Sequence, residues 1–287
     1  MAVTISVIVP VYEQWGLVPA LLACLERQSL TQADFEIILA DNGSKTFVAP
    51  ALPANARIIE VAQPGSYAAR NAAAALAQGQ WFAFTDGDCL PEPDWLSVLA
   101  EAAGKADGPA ILVGAVEMRA AGARPNAYEI YDILKGIPQH RYAANGYGAT
   151  ANLATSAVLF REIGGFDAAR LSGGDADFCR RAGSIGAKIV YVGAARVGHP
   201  ARSTWAELRT KARRVKGGQV TIGPLMRRLW WSFRTIVPPV IAWWRFARSG
   251  DRPAGWRLTA ILVQFRLWLV EIAELVRLAA GGKPERS

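Results

Sequence analysis

The stretch Trp81-Phe82-Ala83-Phe84-Thr85-Asp86-Gly87-Asp88 decides the fold of this 287-residue chain. The run from Trp81 to Thr85 reads as a short buried strand. Two carboxylates spaced by one glycine leave its end together. That puts hard oxygen ligands at the rim of a sheet, where a divalent cation and a phosphate can meet. Alone, the triplet is an ordinary strand-end turn, so its surroundings decide its meaning.

Upstream, strand and helix signals alternate. Thr4 to Val9 is a β-rich run closed by Pro10, and Leu17, Ala20, Leu21, Cys24 and Leu25 recur at helical spacing. Phe35 to Ala40 is a second strand, ending at Asp41-Asn42-Gly43-Ser44, and Arg57 to Val61 a third. Ser66 to Gln78 is alanine-rich and helical, with Gly79 as its stop. This rhythm predicts a parallel sheet covered on both faces, with ligands bound at the carboxyl ends of strands, where Asp41 and Asp86 fall. Downstream, Ala110 to Val116, Ala157 to Phe160 and Lys188 to Val192 read as strands, Asn145 to Thr150 as a loop and Asp177 to Ala182 as a helix. His199 follows soon after the next short strand.

Composition narrows the class. About half of the residues are apolar and a fifth charged, as in globular chains. Cys24, Cys89 and Cys179 are far apart and odd in number, which predicts neither a disulfide framework nor a zinc site and favours a reducing compartment. No charged segment followed by a long apolar one opens the chain, and no run of 18 uncharged apolar residues occurs, so neither a signal peptide nor an ordinary spanning helix is expected. The net charge of +8 sits in one place: Arg202 to Arg234 holds nine Lys/Arg and one acid, Glu207, and the rest of the chain is balanced. Such a local excess is a device for anionic partners.

Taken in order, these pieces resemble the family 2 glycosyltransferases of GT-A fold. The resemblance runs from about Ile5 to His199. It is carried by Val7-Ile8-Val9-Pro10-Val11-Tyr12, Ile38-Leu39-Ala40-Asp41-Asn42-Gly43-Ser44, Ala69-Arg70-Asn71, Phe84-Thr85-Asp86-Gly87-Asp88, Ile163-Gly164-Gly165-Phe166-Asp167, Gly174-Asp175-Ala176-Asp177-Phe178 and His199. It implies an α/β, Rossmann-like mixed sheet flanked by helices, and inverting transfer of a hexose from a nucleotide diphosphate sugar.

The resemblance also implies roles. Asp41 reads the base, with Pro10, Tyr12 and Glu13 beside it. Asp88 coordinates Mg²⁺ or Mn²⁺, and Asp86 supports the ribose or the metal shell. Arg70 contacts phosphate or supports a residue of the metal shell, Asp175 is the general base, and His199 completes the metal site. The donor expected is a UDP-sugar, with GDP-sugar as the other option. The acceptor expected is lipid-linked or a growing cell-envelope polysaccharide. The chain departs from the family where Gly174 replaces the usual Glu before Asp175 and where Asn42 replaces a carboxylate. A Q-x-x-R-W motif and flanking membrane spans are absent, which favours transfer of single sugars.

Two rivals stand beside this reading. A sugar nucleotidyltransferase needs a glycine-rich loop after the first strand, where this chain has Val11-Tyr12-Glu13-Gln14-Trp15. A non-catalytic membrane or partner-binding module with a degenerate site does not need Asp41, Asp86, Asp88, Asp175 and His199 together.

The domain reading is a catalytic domain over 1–220, with a nucleotide-binding half at 1–110 and an acceptor half at 111–200, then a helical tail at 221–287. Pro238-Pro239 breaks the tail, and Arg257 to Ala280 is helical. In that helix Gln264, Arg266, Glu271, Glu274 and Arg277 share one sector and the remaining surface is broadly apolar. Trp230, Trp231, Trp243 and Trp244 lie among arginines, a composition suited to an anionic membrane interface. The expectation is a cytoplasmic enzyme held peripherally on the inner membrane face, or a homodimer formed through the tail. Arg209, Lys211, Arg213 and Arg214 could instead close over a phosphate. No nucleic-acid fold signature accompanies the basic segment, so nucleic acid is not an expected partner.

Overall fold

The computed structural model describes residues 4–170 and 172–285. In chain order its elements are β1 (Ile5–Val11), α1 (Val18–Glu26), β2 (Phe35–Asp41), β3 (Ala56–Glu60), α2 (Ser66–Leu76), β4 (Trp81–Phe84), β5 (Leu90–Pro91), α3 (Trp95–Gly104), β6 (Ala110–Arg119), α4 (Ala127–Lys135) and α5 (Gln139–Ala144). There follow β7 (Leu153–Ser156), α6 (Ala157–Glu162), α7 (Gly174–Ser184), β8 (Lys188–Pro200), α8 (Trp205–Thr221), α9 (Leu225–Ile236), α10 (Val240–Ala247) and α11 (Ala254–Ala279). Eight strands form one sheet in the order β3-β2-β1-β4-β7-β6-β8-β5.

The four strands read upstream are parallel. β1 lies between β2 and β4, with Val11 opposite Asp41 and Ile5 opposite Trp81. β1 and β2 are mostly apolar because both faces are covered, and the buried polar pair at their start is satisfied by the Ser6 hydroxyl donating to Glu36 Oε1 at 2.6 Å. One face packs on α1 and α3 through Val7, Val9, Leu21, Leu25 and Trp95, and the other packs on α2 and α6 through Ile8, Ala69, Ala73 and Phe160. Beyond β4 the sheet turns antiparallel, with Phe84 opposite Leu153 and Ala83 opposite Ala154.

Two sequence expectations change here. Ala157 to Phe160, expected as a strand, is the helix α6, and the strand is the segment before it. Ser156 decides the switch, because its hydroxyl accepts the Leu159 amide and caps the helix. Lys188 to Val192 and the short strand after it are one strand, β8, which runs to Pro200. A buried asparagine ties it in: the Asn152 side-chain amide donates to Ala115 O at 2.8 Å and Ala195 O at 2.9 Å, and Asn152 Oδ1 accepts Trp95 Nε1 at 2.9 Å. A Cβ on Gly114 would lie 2.3 Å from Asn152 Nδ2, so the asparagine occupies space that only glycine leaves.

The chain divides into two compact units. The first comprises the residues up to Glu117, Ile137–Ala169 and Gly174–His199; the second comprises Met118–Gly136, Arg170–Gly173 and Pro200 onward. In the second unit α11 packs on α4, α8 and α10 around Tyr131, Leu208, Phe246, Ala260, Val263 and Leu267. No helix among the described residues is long and apolar enough to cross a membrane.

Candidate active site

The site residues gather in the first unit, at the carboxyl ends of the parallel strands. β4 ends at Phe84, and the chain then passes through Asp86, Gly87 and Asp88 into the two-residue strand β5. β5 pairs antiparallel with β8, Leu90 facing Gly198. That pairing carries His199, 4 % exposed, to within 3.9 Å of Asp88, measured from Nε2 to Oδ1. One ligand atom each from Asp86, Asp88, Cys89 and His199 lies within 4.8 Å of the others.

The donor set can be tested against a divalent cation. Two carboxylates are hard oxygen ligands of the kind a Mg²⁺ or Mn²⁺ shell uses, and an imidazole nitrogen beside them suits the transition metal Mn²⁺ better than Mg²⁺. Cys89 is fully buried, and burial, with Asp86 and Asp88 adding to it, pushes its thiol well up. As a soft sulfur donor it is the poorest ligand of the four for a hard cation. The residues present fit a hard cation held by Asp88, Asp86 and His199.

Arg70 lies beside this cluster. It projects from α2, is 3 % exposed, and donates from Nη2 to Asp86 Oδ1 at 2.5 Å. Its Nε is buried with no hydrogen-bond partner among the described residues. A buried guanidinium with a free donor costs stability unless something anionic completes it, so the position suits a ligand oxygen.

Asp41 ends β2 and is almost buried. Its Oδ1 accepts the Trp15 indole N–H at 2.8 Å and its Oδ2 accepts the Ser44 amide at 3.2 Å. Trp15 was not singled out from the sequence. It fixes the carboxylate's orientation and stacks edge-on against Phe47, with ring centroids 4.8 Å apart. Tyr12 is exposed beside it. Pro10 lies within β1, opposite Ala40. Glu13, read as a nucleotide neighbour, grips the loop after β2. Its carboxylate accepts the Lys45 amide, the Thr46 amide and the Thr46 hydroxyl, and the Thr46 hydroxyl bond in particular holds its pKa below the ordinary value. Its backbone is left-handed, with φ 54°, the one such non-glycine residue described. Asn42 organises the approach to α2: Nδ2 donates to Val61 O and Gln63 O, and Oδ1 accepts the Gly65 amide.

Asp175 lies in the first turn of α7. Its Oδ1 accepts the Ala176 amide at 2.9 Å, and desolvation raises its pKa. Tyr67, which reads from the sequence as core, holds this corner. Its hydroxyl accepts the Gly174 amide at 2.9 Å and the Asp175 amide at 3.4 Å, and its oxygen lies 3.5 Å from Asp175 Oδ1. The Arg70 guanidinium lies 5.8 Å from the Tyr67 ring centre. Asn71 pins the segment before α7 by pairing both side-chain atoms with the Phe166 backbone, at 2.7 and 2.9 Å.

The glycine before Asp175 now has a reason. A Cβ at position 174 would lie 2.6 Å from the Tyr67 ring. The ring takes the space that a glutamate there would need. Gly174→Ala is expected to lower stability by about 1–3 kcal/mol as an overpacking defect, read by denaturant unfolding. Tyr67→Leu in the same chain should recover part of that loss through the shared contact.

Residues 6–163 match the family described as glycosyl transferase family 2. Glycosyltransferase AglE of Haloferax volcanii is 30 % identical over 234 residues, which is 78 % of this chain and 75 % of that protein. Among solved structures, the mannosyltransferase PcManGT of Pyrobaculum calidifontis, in complex with GDP-Man and Mn²⁺, aligns with a TM-score of 0.55 at 15 % identity, covering 99 % of this chain and 77 % of its own. S. aureus TarS 1–349 in complex with UDP-GlcNAc aligns at 0.53 and 16 %, covering 96 % and 81 %. At these identities the structural likeness speaks for the fold, the helix-flanked mixed sheet of GT-A enzymes.

Proposed function

The chain belongs to glycosyl transferase family 2 and is a glycosyltransferase, and from that premise we propose that it moves one sugar from a nucleoside diphosphate sugar to an acceptor hydroxyl with inversion. The observation that carries this reading is the convergence of Asp86, Asp88 and His199 beside Arg70, with Asp175 in contact with Tyr67, whose ring centre lies 5.8 Å from the Arg70 guanidinium.

In the proposed mechanism Asp41 and Tyr12 receive the base, and Trp15 keeps the Asp41 carboxylate aimed. Arg70 offers its unpaired Nε to a diphosphate oxygen. Asp88, Asp86 and His199 would hold Mg²⁺ or Mn²⁺, which when bound offsets the charge gathering on the diphosphate. The acceptor hydroxyl approaches the anomeric carbon from the face opposite the diphosphate. As its oxygen forms the new C–O bond, the bond from that carbon to the diphosphate oxygen breaks and the hydroxyl proton passes to Asp175. The carbon carries oxocarbenium character at that point, so the negative carboxylate also offsets positive charge. The products are the glycoside with inverted configuration and the nucleoside diphosphate.

The preferred donor is a UDP-sugar. Of the relatives, one binds GDP-Man and another UDP-GlcNAc. Calorimetry with UDP and GDP, each with and without Mn²⁺, tests the choice. UDP should bind at least tenfold more tightly than GDP and only with the cation; tighter GDP binding would overturn the base assignment while leaving the transfer chemistry intact. The acceptor is proposed to be lipid-linked or a growing cell-envelope polysaccharide, met by an enzyme attached peripherally to the inner membrane face.

A further inference from the structure

The tail helices turn apolar side chains outward. In α11 the sector of Gln264, Glu271 and Glu274 faces the protein together with Ala260, Val263 and Leu267. Gln264 accepts the Tyr131 hydroxyl at 2.9 Å, Glu271 pairs with Lys216 at 3.2 Å, and Glu274, 2 % exposed, accepts Arg213 Nε at 2.9 Å. The opposite side carries Leu258, Leu262, Phe265, Leu269 and Val276, all exposed, Leu262 to 60 %. α9 is built the same way. Its inner side carries Thr235, which accepts Lys216 Nζ through its hydroxyl and Trp268 Nε1 through its carbonyl. Its outer stripe is Met226, Leu229, Trp230, Phe233 and Ile236, at helical spacing and all more than half exposed. α10 adds Val240, Ile241 and Trp244, and the rings of Trp243, Phe265 and Trp268 join it to α11.

Apolar area of this extent on three adjacent helices calls for a partner, and the charges around it select one. Residues 225–279 contain nine arginines against Asp251, Glu271 and Glu274, and the two glutamates are turned inward on Lys216 and Arg213. Arg228, Arg245 and Arg248 are exposed, while Arg252 pairs with Asp251 at 3.3 Å and Arg266 lies over the Trp205 ring. Arg248 lies 4.4 Å from the ring centre of exposed Trp244, a guanidinium and indole pair suited to the headgroup level of a bilayer. A second copy of this chain, meeting through the same face, would set arginine against arginine. Anionic lipid opposes that set with negative charge.

We infer that α9, α10 and α11 form a monotopic docking face that lies in the plane of an anionic bilayer, their outer apolar side chains at the headgroup–acyl boundary. This deepens the membrane part of the function proposed above and rests on it, while leaving the transfer chemistry independent.

The test is flotation of the full chain with vesicles of phosphatidylcholine alone or with phosphatidylglycerol added. The chain should float with the anionic vesicles and remain bound in 0.5 M salt. Trp230→Glu with Phe233→Glu should cut the floated fraction at least tenfold, with donor hydrolysis in vesicle-free buffer unchanged. Acyl-chain brominated lipid should quench tryptophan fluorescence of the unaltered protein, a readout that does not depend on the variant folding. A chain that stays at the bottom of the gradient with anionic vesicles overturns the inference, as does complete release by salt. So does a solution dimer that the same two substitutions dissociate. Loss of donor hydrolysis with flotation intact would instead sink the transferase reading alone.

Discussion

Asp175→Asn should reduce sugar transfer by about 10²–10⁴-fold, the usual worth of a general base, while cation-dependent nucleotide binding stays within a factor of two or so. The amide keeps the shape and can still accept the Ala176 amide, but it cannot take a proton. The carboxylate's environment sets the pH dependence. Burial raises the Asp175 pKa, with hydrogen bonds and Arg70 opposing it. The base works as the anion, so transfer should fall as pH drops through a value above the ordinary one for an aspartate. The same shift has a stability consequence. Folded Asp175 binds its proton more tightly than unfolded Asp175, so the chain loses stability as pH rises from the ordinary value to the raised one. Above that window the folded state carries the cost of a desolvated charge. Asp175→Asn removes it, and the variant should melt at a higher temperature than the parent at neutral pH. Retained turnover, or a lower melting temperature with binding also lost, would remove Asp175 from the role of base.

Asp88→Ala should weaken Mn²⁺-dependent nucleotide binding by more than about 100-fold, beyond the 10–100-fold typical of residues that only orient a metal ligand. Calorimetry with UDP and Mn²⁺ reads it directly. Asp88 is a cleaner probe than Asp86. Asp86 pairs with Arg70, whose side chain is 4 % exposed, so Asp86→Ala would strand a buried guanidinium and cost about 3–5 kcal/mol. A loss of binding in that variant would mix site chemistry with unfolding. Asp88→Ala leaves the Arg70 pair in place, and its melting temperature should change far less than that of Asp86→Ala. Unchanged Mn²⁺-dependent affinity in Asp88→Ala would dismiss the metal role.

Several parts of the site can be read in one dimension because they depend on local sequence. A short apolar strand followed at once by polar residues delivers those residues to the sheet rim, which placed Asp41 and Asp86 at strand ends before any coordinates. Tyr67 could not be read this way. Its neighbours are alanines that pack, and only the approach of α7, far along the chain, turns its hydroxyl toward the Gly174 amide. Glu13 is a second case: the family resemblance offered it as a neighbour of the base, but its bonds to the Lys45 and Thr46 loop join distant parts of the chain and could not be read. The strand at Leu153–Ser156 was placed one segment late, because Ala157 to Phe160 has the apolar content of a strand and the capping bond of Ser156 is a three-dimensional fact.

The sequence by itself determined the parallel half of the sheet, the spacing of Asp86 and Asp88, and the apolar periodicity of the tail. Each follows from side-chain polarity at fixed local spacing. The tertiary structure alone decided that His199 meets Asp88, because the register of β5 on β8 is a long-range pairing. It alone decided which side of α11 points outward. Periodicity separates a polar face from an apolar one, but the direction each takes depends on what packs there. Here Tyr131, Arg213 and Lys216 claim Gln264, Glu274 and Glu271, Val263 and Leu267 pack beside them, and the side carrying Leu258, Leu262, Phe265 and Leu269 is left outside.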